Sequence, residues 1–219
     1  MMRSALSKLV EAVKKAKENK MSSKFKQSVE LVVNITGVDL SKPQNRFSEV
    51  VELPNDLGRK KRKILVIASG NLALEAGRTP GVDRVIQREE LEALVGRKKD
   101  AKKLASEYDF ILVEPPLMAL AARALGAALG SRGKTPIPIP PGSEIQKLVK
   151  RYANSVQIVL RKSPQVGCLI GVEEDPDEKI AENAETVLSR VVEKLEKKQK
   201  NISSVYVKTT RGKPVKVEI

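Results

Sequence analysis

The sequence predicts a mixed fold, α/β and α+β, in which one α+β domain is built from both chain ends and an α/β domain is inserted between them. Three observations carry this reading. Strands near the two ends alternate apolar and polar residues, as in Ser28 to Ile35. Strands in the middle, such as Ile64 to Ile67, are apolar throughout and alternate with helices. Cation-rich and polar connectors separate the two patterns, which places the inserted domain at 64–155 and the terminal domain at 1–63 with 156–219.

The elements follow in order. Leu6, Leu9, Val10 and Val13 recur at helical spacing within residues 4–18, an amphipathic helix. Val29, Leu31, Val33 and Ile35 fall on one face of a strand, with Ser28, Glu30 and Asn34 on the other. The segment DLSKPQNRFS is a loop, and Glu49 to Leu53 is a second strand. Five consecutive cations, Arg59 to Lys63, form an exposed connector, because no core accepts five unpaired charges. This run reads equally as a solvated linker or as a direct nucleic-acid contact.

Beyond it, the strands Ile64 to Ile67, Val82 to Ile86 and Asp109 to Val113 are separated by a short helix and by one long charged helix, Arg88 to Tyr108. An Ala-rich helix, Pro115 to Gly130, comes next. Continuous apolar strands between helices require cover on both faces, so this is a three-layer, doubly wound domain of Rossmann-like architecture. A Pro-rich loop, GSRGKTPIPIPPG, and a helix over 143–152 close it. The alternating pattern then returns in Val156 to Arg161 and Val166 to Val172, followed by a helix from Asp177 to Lys198 and a hairpin of Val205 to Lys208 with Val215 to Val217.

Composition limits the chemistry. The 219 residues hold 41 Lys and Arg against 27 Asp and Glu, a net charge of +14, which favours a polyanionic partner. No apolar run is long enough to span a bilayer, and the N-terminus reads as an amphipathic helix rather than a signal peptide, so no membrane partner and a cytoplasmic location are expected. With one Cys and no His, Ser/His/Asp and Cys/His catalysis and paired Cys or His zinc sites are excluded, and neither an enzyme nor a cofactor is expected. The acidic run Glu173, Glu174, Asp175, Asp177 and Glu178 precedes a helix, where carboxylates favour the N-terminal dipole. Aromatic residues are 3% of the chain, too few for a base-stacking platform, which leaves RNA shape, phosphates and 2′-hydroxyls as targets.

Two function classes compete with RNA binding. One is a nucleotide-dependent enzyme, suggested by Ala128-Leu129-Gly130-Ser131-Arg132-Gly133-Lys134-Thr135, a relaxed phosphate-loop pattern. That loop needs a strand before it and a helix after it; here a helix precedes it and Pro136, Pro138, Pro140 and Pro141 follow. Gly130, Arg132, Gly133 and Lys134 remain a flexible basic loop, a secondary RNA contact. The other class is a DNA-binding architectural protein acting through charge alone. Between 1–63 and 156–219 the terminal domain carries 27 cations and 17 acids, or +10, so it is the main candidate surface. Phe25, between Lys24 and Lys26, reads either as a core anchor or as an exposed contact, and Thr209 to Lys213 either as an ordinary turn or as a close-approach site.

The segments FKQSVELVVNI, KPQNR and VELP resemble the opening of the ribosomal protein L-one family, the protein of the mobile stalk on the large subunit. LGSRGKTPIP is similar to the family's Gly- and Pro-rich segment, and SVYVKTTRGKPVKVEI to its C-terminal hairpin. The resemblance implies binding to the stalk region of large-subunit ribosomal RNA near the transfer-RNA exit site, with transfer RNA a partner as it leaves. It further implies repression of translation through the protein's own messenger, and a free monomer. By position it assigns recognition to Lys24, Phe25, Ser28, Glu30, Lys42, Gln44, Thr210, Arg211 and Gly212. Arg211 departs from the family's commonest Ser-Thr-Met-Gly, replacing an apolar side chain with a long cation. The basic composition and the divergent hairpin point to an archaeal member.

Overall fold

A computed structural model describes residues 2–57 and 62–218. In chain order the elements are α1 (Met2–Glu18), β1 (Ser28–Ile35), β2 (Phe47–Glu52), β3 (Ile64–Ile67), α2 (Gly70–Arg78), β4 (Arg84–Ile86), α3 (Arg88–Ala93), α4 (Lys98–Glu107), β5 (Phe110–Val113), α5 (Met118–Gly130), β6 (Ile137–Pro138), α6 (Ile145–Ala153), β7 (Ser155–Leu160), β8 (Gln165–Val172), α7 (Asp177–Lys194), β9 (Ile202–Thr209) and β10 (Val215–Val217). The protein is mixed α/β. Two compact units emerge, Met1–Lys60 with Asn154–Ile219, and Lys61–Ala153.

In the terminal unit an antiparallel sheet of order β10-β9-β1-β8 accompanies a two-stranded β2-β7 ladder. The alternation of β1 turns Val29, Leu31, Val33 and Ile35 into the core. They pack with Leu9, Val13 and Ala16 of α1 and with Ile180, Ala184, Val187 and Val191 of α7, whose spacing places them on one helical stripe. Deleting any one of the large members, for example Leu31→Ala, would cost about 2–5 kcal/mol. The buried Asn183 amide satisfies itself by donating to the Ile170 carbonyl (2.9 Å) and accepting the Asn55 N–H (3.0 Å). Where the chain leaves and re-enters this unit, the Leu53 N–H donates to the Asn154 carbonyl at 2.9 Å, so the two crossings are neighbours.

The inserted unit is a parallel sheet of order β4-β3-β5-β6. All four residues of β3 and of β5 are buried, as strands covered on both faces must be. Leu65, Ile67, Ile111 and Val113 pack with Leu91, Leu104, Leu125 and Leu129 of α3, α4 and α5.

Several boundaries differ from the sequence reading, four of them with a clear cause. The long charged helix is two helices, α3 and α4, because Gly96 takes φ +84° and ends the run. The last long helix stops at Lys194 rather than Lys198, since Leu195 is extended and the Asn201 carboxamide oxygen takes the Lys197 N–H (2.8 Å). Phe47 and Ser48 belong to β2, drawn in by pairing with Leu160 and Val159. The Pro-rich loop contributes β6, an edge strand on which Pro138 lacks nothing the ladder needs. Of the basic connector, Arg59 to Lys61 lie outside the described residues. Arg62 is not an exposed charge, because its side chain is 14% accessible and lies 3.6 Å from Asp109.

Candidate nucleic-acid interface

One end of the terminal sheet brings most of the predicted residues together. There β1 begins and β9 ends, with Val29 opposite Thr209. Thr210 continues the ladder in an irregular way: its N–H donates to the Ser28 carbonyl (3.0 Å), and the Ser28 N–H donates to its hydroxyl (3.2 Å). The Gly212 N–H closes the turn on the Thr209 carbonyl (3.1 Å). A Cβ at Gly212 would sit 2.2 Å from the Thr209 Oγ1, a buried hydroxyl with no hydrogen-bond partner among the described residues, so only glycine fits.

Sequence reasoning missed the residue that holds this end together. Gln27 is 1% accessible. Its Oε1 accepts the Arg211 N–H (2.9 Å), its Nε2 donates to the Met21 carbonyl (2.6 Å), and its own N–H donates to Glu173 (3.0 Å). Ordering three chain segments through one residue stabilises each of them only because every partner is satisfied. Its only visible sign in the sequence is a polar residue just ahead of a strand, a weak signal.

The acidic run does more than favour the α7 dipole, which corrects the expectation for it. Glu173 pairs with Lys20 (2.9 Å), Asp177 with Lys17 (2.5 Å), and Glu174 with Lys26. The Lys20 ammonium and the Gln27 N–H hold the Glu173 carboxyl below its ordinary range. Three cations of the 17–26 segment are thereby neutralised within the protein. Lys24 is exposed and makes no ion pair among the described residues, so it stays available to phosphate.

Phe25 is 50% exposed and is therefore no core anchor. The Arg211 guanidinium lies 5.7 Å from its ring centroid. The long cation at this position thus covers the aromatic ring, giving a cation–π contact of about 0.5–1 kcal/mol at an exposed position. Glu30 is directly opposite Lys208, whose ammonium lies 3.7 Å from it and donates to the Thr210 carbonyl (3.1 Å).

Lys42 and Gln44 are not part of this cluster. They flank Pro43 in an exposed turn that follows the far end of β1, and seven residues of strand separate Ser28 from Ile35, about 23 Å. The Gly130 to Lys134 segment is also different from the flexible loop expected. The Gly133 N–H donates to the Gly130 carbonyl and the Lys134 N–H to that of Leu129, with Gly133 at φ +73°, a Schellman cap that ends α5. The Lys134 ammonium donates to the carbonyls of Ala105 (3.0 Å) and Tyr108 (2.6 Å) at the end of α4, and burial lowers its pKa. This is a helix-capping lysine, favoured there by the dipole.

The charge asymmetry also moves. With the observed bounds, the terminal unit holds 24 cations and 17 acids and the inserted unit 17 and 10, so each carries +7. The earlier difference rested on Lys61 to Lys63. Among the described residues no helix is long and apolar enough to cross a membrane, and no acidic, Cys or His cluster is placed to hold a metal.

Comparison with known proteins identifies the family. Residues 12–213 match the model of the Ribosomal protein L1p/L10e family. The chain is 45% identical to the large ribosomal subunit protein uL1 of Thermofilum pendens, over 97% of this chain and 94% of that protein. It is 47% identical to that of Thermococcus kodakarensis over 96% and 97%, and 43% identical to that of Methanothermobacter thermautotrophicus over 95% and 98%. These relatives are archaeal ribosomal proteins rather than enzymes. The chain belongs to the Ribosomal protein L1p/L10e family and is not an enzyme.

Proposed function

We propose that the chain is a structural protein of the large ribosomal subunit that binds the stalk region of large-subunit ribosomal RNA through the sheet end formed by Lys24 to Ser28, Glu30 and Thr210 to Gly212. The observation that carries this reading is the close-approach turn at Gly212 beside the exposed Arg211–Phe25 pair. A backbone that only glycine permits, next to an unshielded cation, suits the sugar-phosphate surface of a folded RNA. Lys42 and Gln44 contact a further part of the same RNA. The protein works in the cytoplasm on the ribosome, is a monomer when free, meets transfer RNA as it leaves, and represses translation by binding a similar fold in its own messenger.

Filter binding of the full chain to a stalk RNA fragment and to duplex DNA of equal charge tests this. The RNA should bind at least tenfold more tightly at about 0.15 M salt, and equal affinities would overturn the reading.

The two units are, in the same proposal, an RNA-binding α+β domain and an inserted Rossmann-like domain. Because Leu53 and Asn154 are hydrogen-bonded neighbours, joining Leu57 to Asn154 through a short Gly-Ser linker should leave a folded protein that retains most of the stalk-RNA affinity. An unfolded product would refute the domain division.

A further inference from the structure

The geometry points to a second RNA-binding surface, the outward crest of α4, which takes the phosphate backbone of an RNA helix without reading its sequence. This rests on the reading that the protein works on RNA, but it concerns the other unit and different residues. The buried side of α4 is Ala101, Leu104, Ala105 and Tyr108. At 3.6 residues per turn the opposite side is Lys99, Lys102, Lys103 and Ser106, all exposed. The crest extends past the helix through Arg132, whose guanidinium donates to the Ser106 hydroxyl (2.6 Å) and to the Ala128 carbonyl (3.3 Å). That guanidinium is held in place, since Ser106 in turn donates to the Lys102 carbonyl (2.9 Å).

A row of lysines on a helix is ordinarily a solvated face, and such faces carry their own counter-charges. Here α1, α3 and α7 do so: Lys15 pairs with Glu11, Arg88 with Glu92, and Arg190 with Glu193. On α4 the acids within one turn of Lys103 are Asp100 and Glu107, but Asp100 pairs with no lysine among the described residues and Glu107 faces Lys63 instead (3.5 Å). None of Lys99, Lys102 and Lys103 makes an ion pair or side-chain hydrogen bond among the described residues. Lys99 to Ser106 spans about 10 Å of helix axis. At one phosphate per about 3.4 Å along each strand of a duplex, that length faces roughly three phosphates. Three exposed ammonium groups and one fixed guanidinium match such a row, and with no aromatic on the crest and no glycine close approach, nothing there reads bases.

The test uses the full chain carrying Lys99→Ala, Lys102→Ala and Lys103→Ala together. These substitutions sit on an exposed helix face where Ala is the best helix former, so folding is preserved. Binding is measured against salt for two probes, the stalk RNA fragment and a plain RNA duplex of unrelated sequence. For the plain duplex the variant should lose about tenfold in affinity, and its log–log salt slope should fall by about 2–3, at roughly 0.9 per phosphate contact. Replacing the same three residues by Arg should restore both. An unchanged slope and affinity for the plain duplex would overturn the inference. Failure of the unaltered chain to bind the stalk fragment would instead refute the proposed function, and would leave the duplex result readable.

Discussion

The two basic regions differ in what their cations are doing. At the hairpin end of the terminal unit, Lys17, Lys20 and Lys26 are spent on Asp177, Glu173 and Glu174, and the charge serves to hold a backbone in place. On the crest of α4 the lysines hold nothing, and the helix beneath them is held by its apolar side. Equal net charge of +7 in each unit therefore conceals two different arrangements of cations. A fixed backbone with few free cations selects by shape and tolerates salt, whereas unpaired cations on a helix attract any polyanion and fail as salt rises. Charge counted from composition cannot separate these cases; charge minus internal pairing can.

The contrast breaks most visibly at Gly212. Changing it to Ala places a Cβ on the Thr209 hydroxyl, an overpacking that costs about 1–3 kcal/mol and displaces the turn. Stalk-RNA affinity should fall about 10- to 100-fold, with the salt slope unchanged because no cation is lost. Filter binding at several salt concentrations measures both. Adding Thr209→Ala removes the opposing oxygen, so the double variant should recover stability beyond the sum of the single changes in thermal melts. Full RNA affinity in Gly212→Ala would mean that shape at this turn is not what the RNA meets.

A smaller effect is expected at Arg211. Substituting Met, a long apolar side chain, keeps cover over Phe25 and removes one cation. The salt slope for stalk RNA should become shallower by about 0.7–0.9, with affinity reduced several-fold near 0.1 M salt and little changed near 0.5 M. A uniform loss at all salt concentrations would show that Arg211 contributes packing on Phe25 rather than charge.

How far the sequence revealed these regions follows from the range of the interactions involved. The alternation of β1 and the apolar runs of β3 and β5 are local, and apart from Ser28, which is buried at an irregular strand start, their residues appear in the structure where the pattern placed them. The break at Gly96 was visible as a glycine but was outweighed by the charged periodicity on both sides of it. Gln27 was not legible, because its partners Met21, Glu173 and Arg211 come from three separate segments. The pairing of Lys17 with Asp177 spans 160 positions, so neither residue announces that it is neutralised. Lys134 misled for the opposite reason: glycines and cations at phosphate-loop spacing also build a helix cap with a lysine on the next helix end. The crest of α4 needed both the break at Gly96 and the fate of Glu107, and only the fold supplies the second.

The smallest expected effect tests the internal pairing itself. The Lys20 side chain and then the Gln27 N–H favour the ionised Glu173, holding its carboxyl below the ordinary 4.5. A group whose pKa is depressed on folding contributes stability that is fully present above its unfolded value and is lost as pH falls through its folded value. That contribution is therefore intact at neutral pH and decays below about pH 4.5. Glu173→Gln removes it at every pH while keeping the side chain's shape. The variant should melt about 1–3 °C below the parent at pH 7, and the gap should narrow as both are acidified from pH 5 to pH 3. A gap that stays constant through that interval would show that Glu173 acts through its hydrogen bonds alone, and that its charge does not hold Lys20 at the hairpin end.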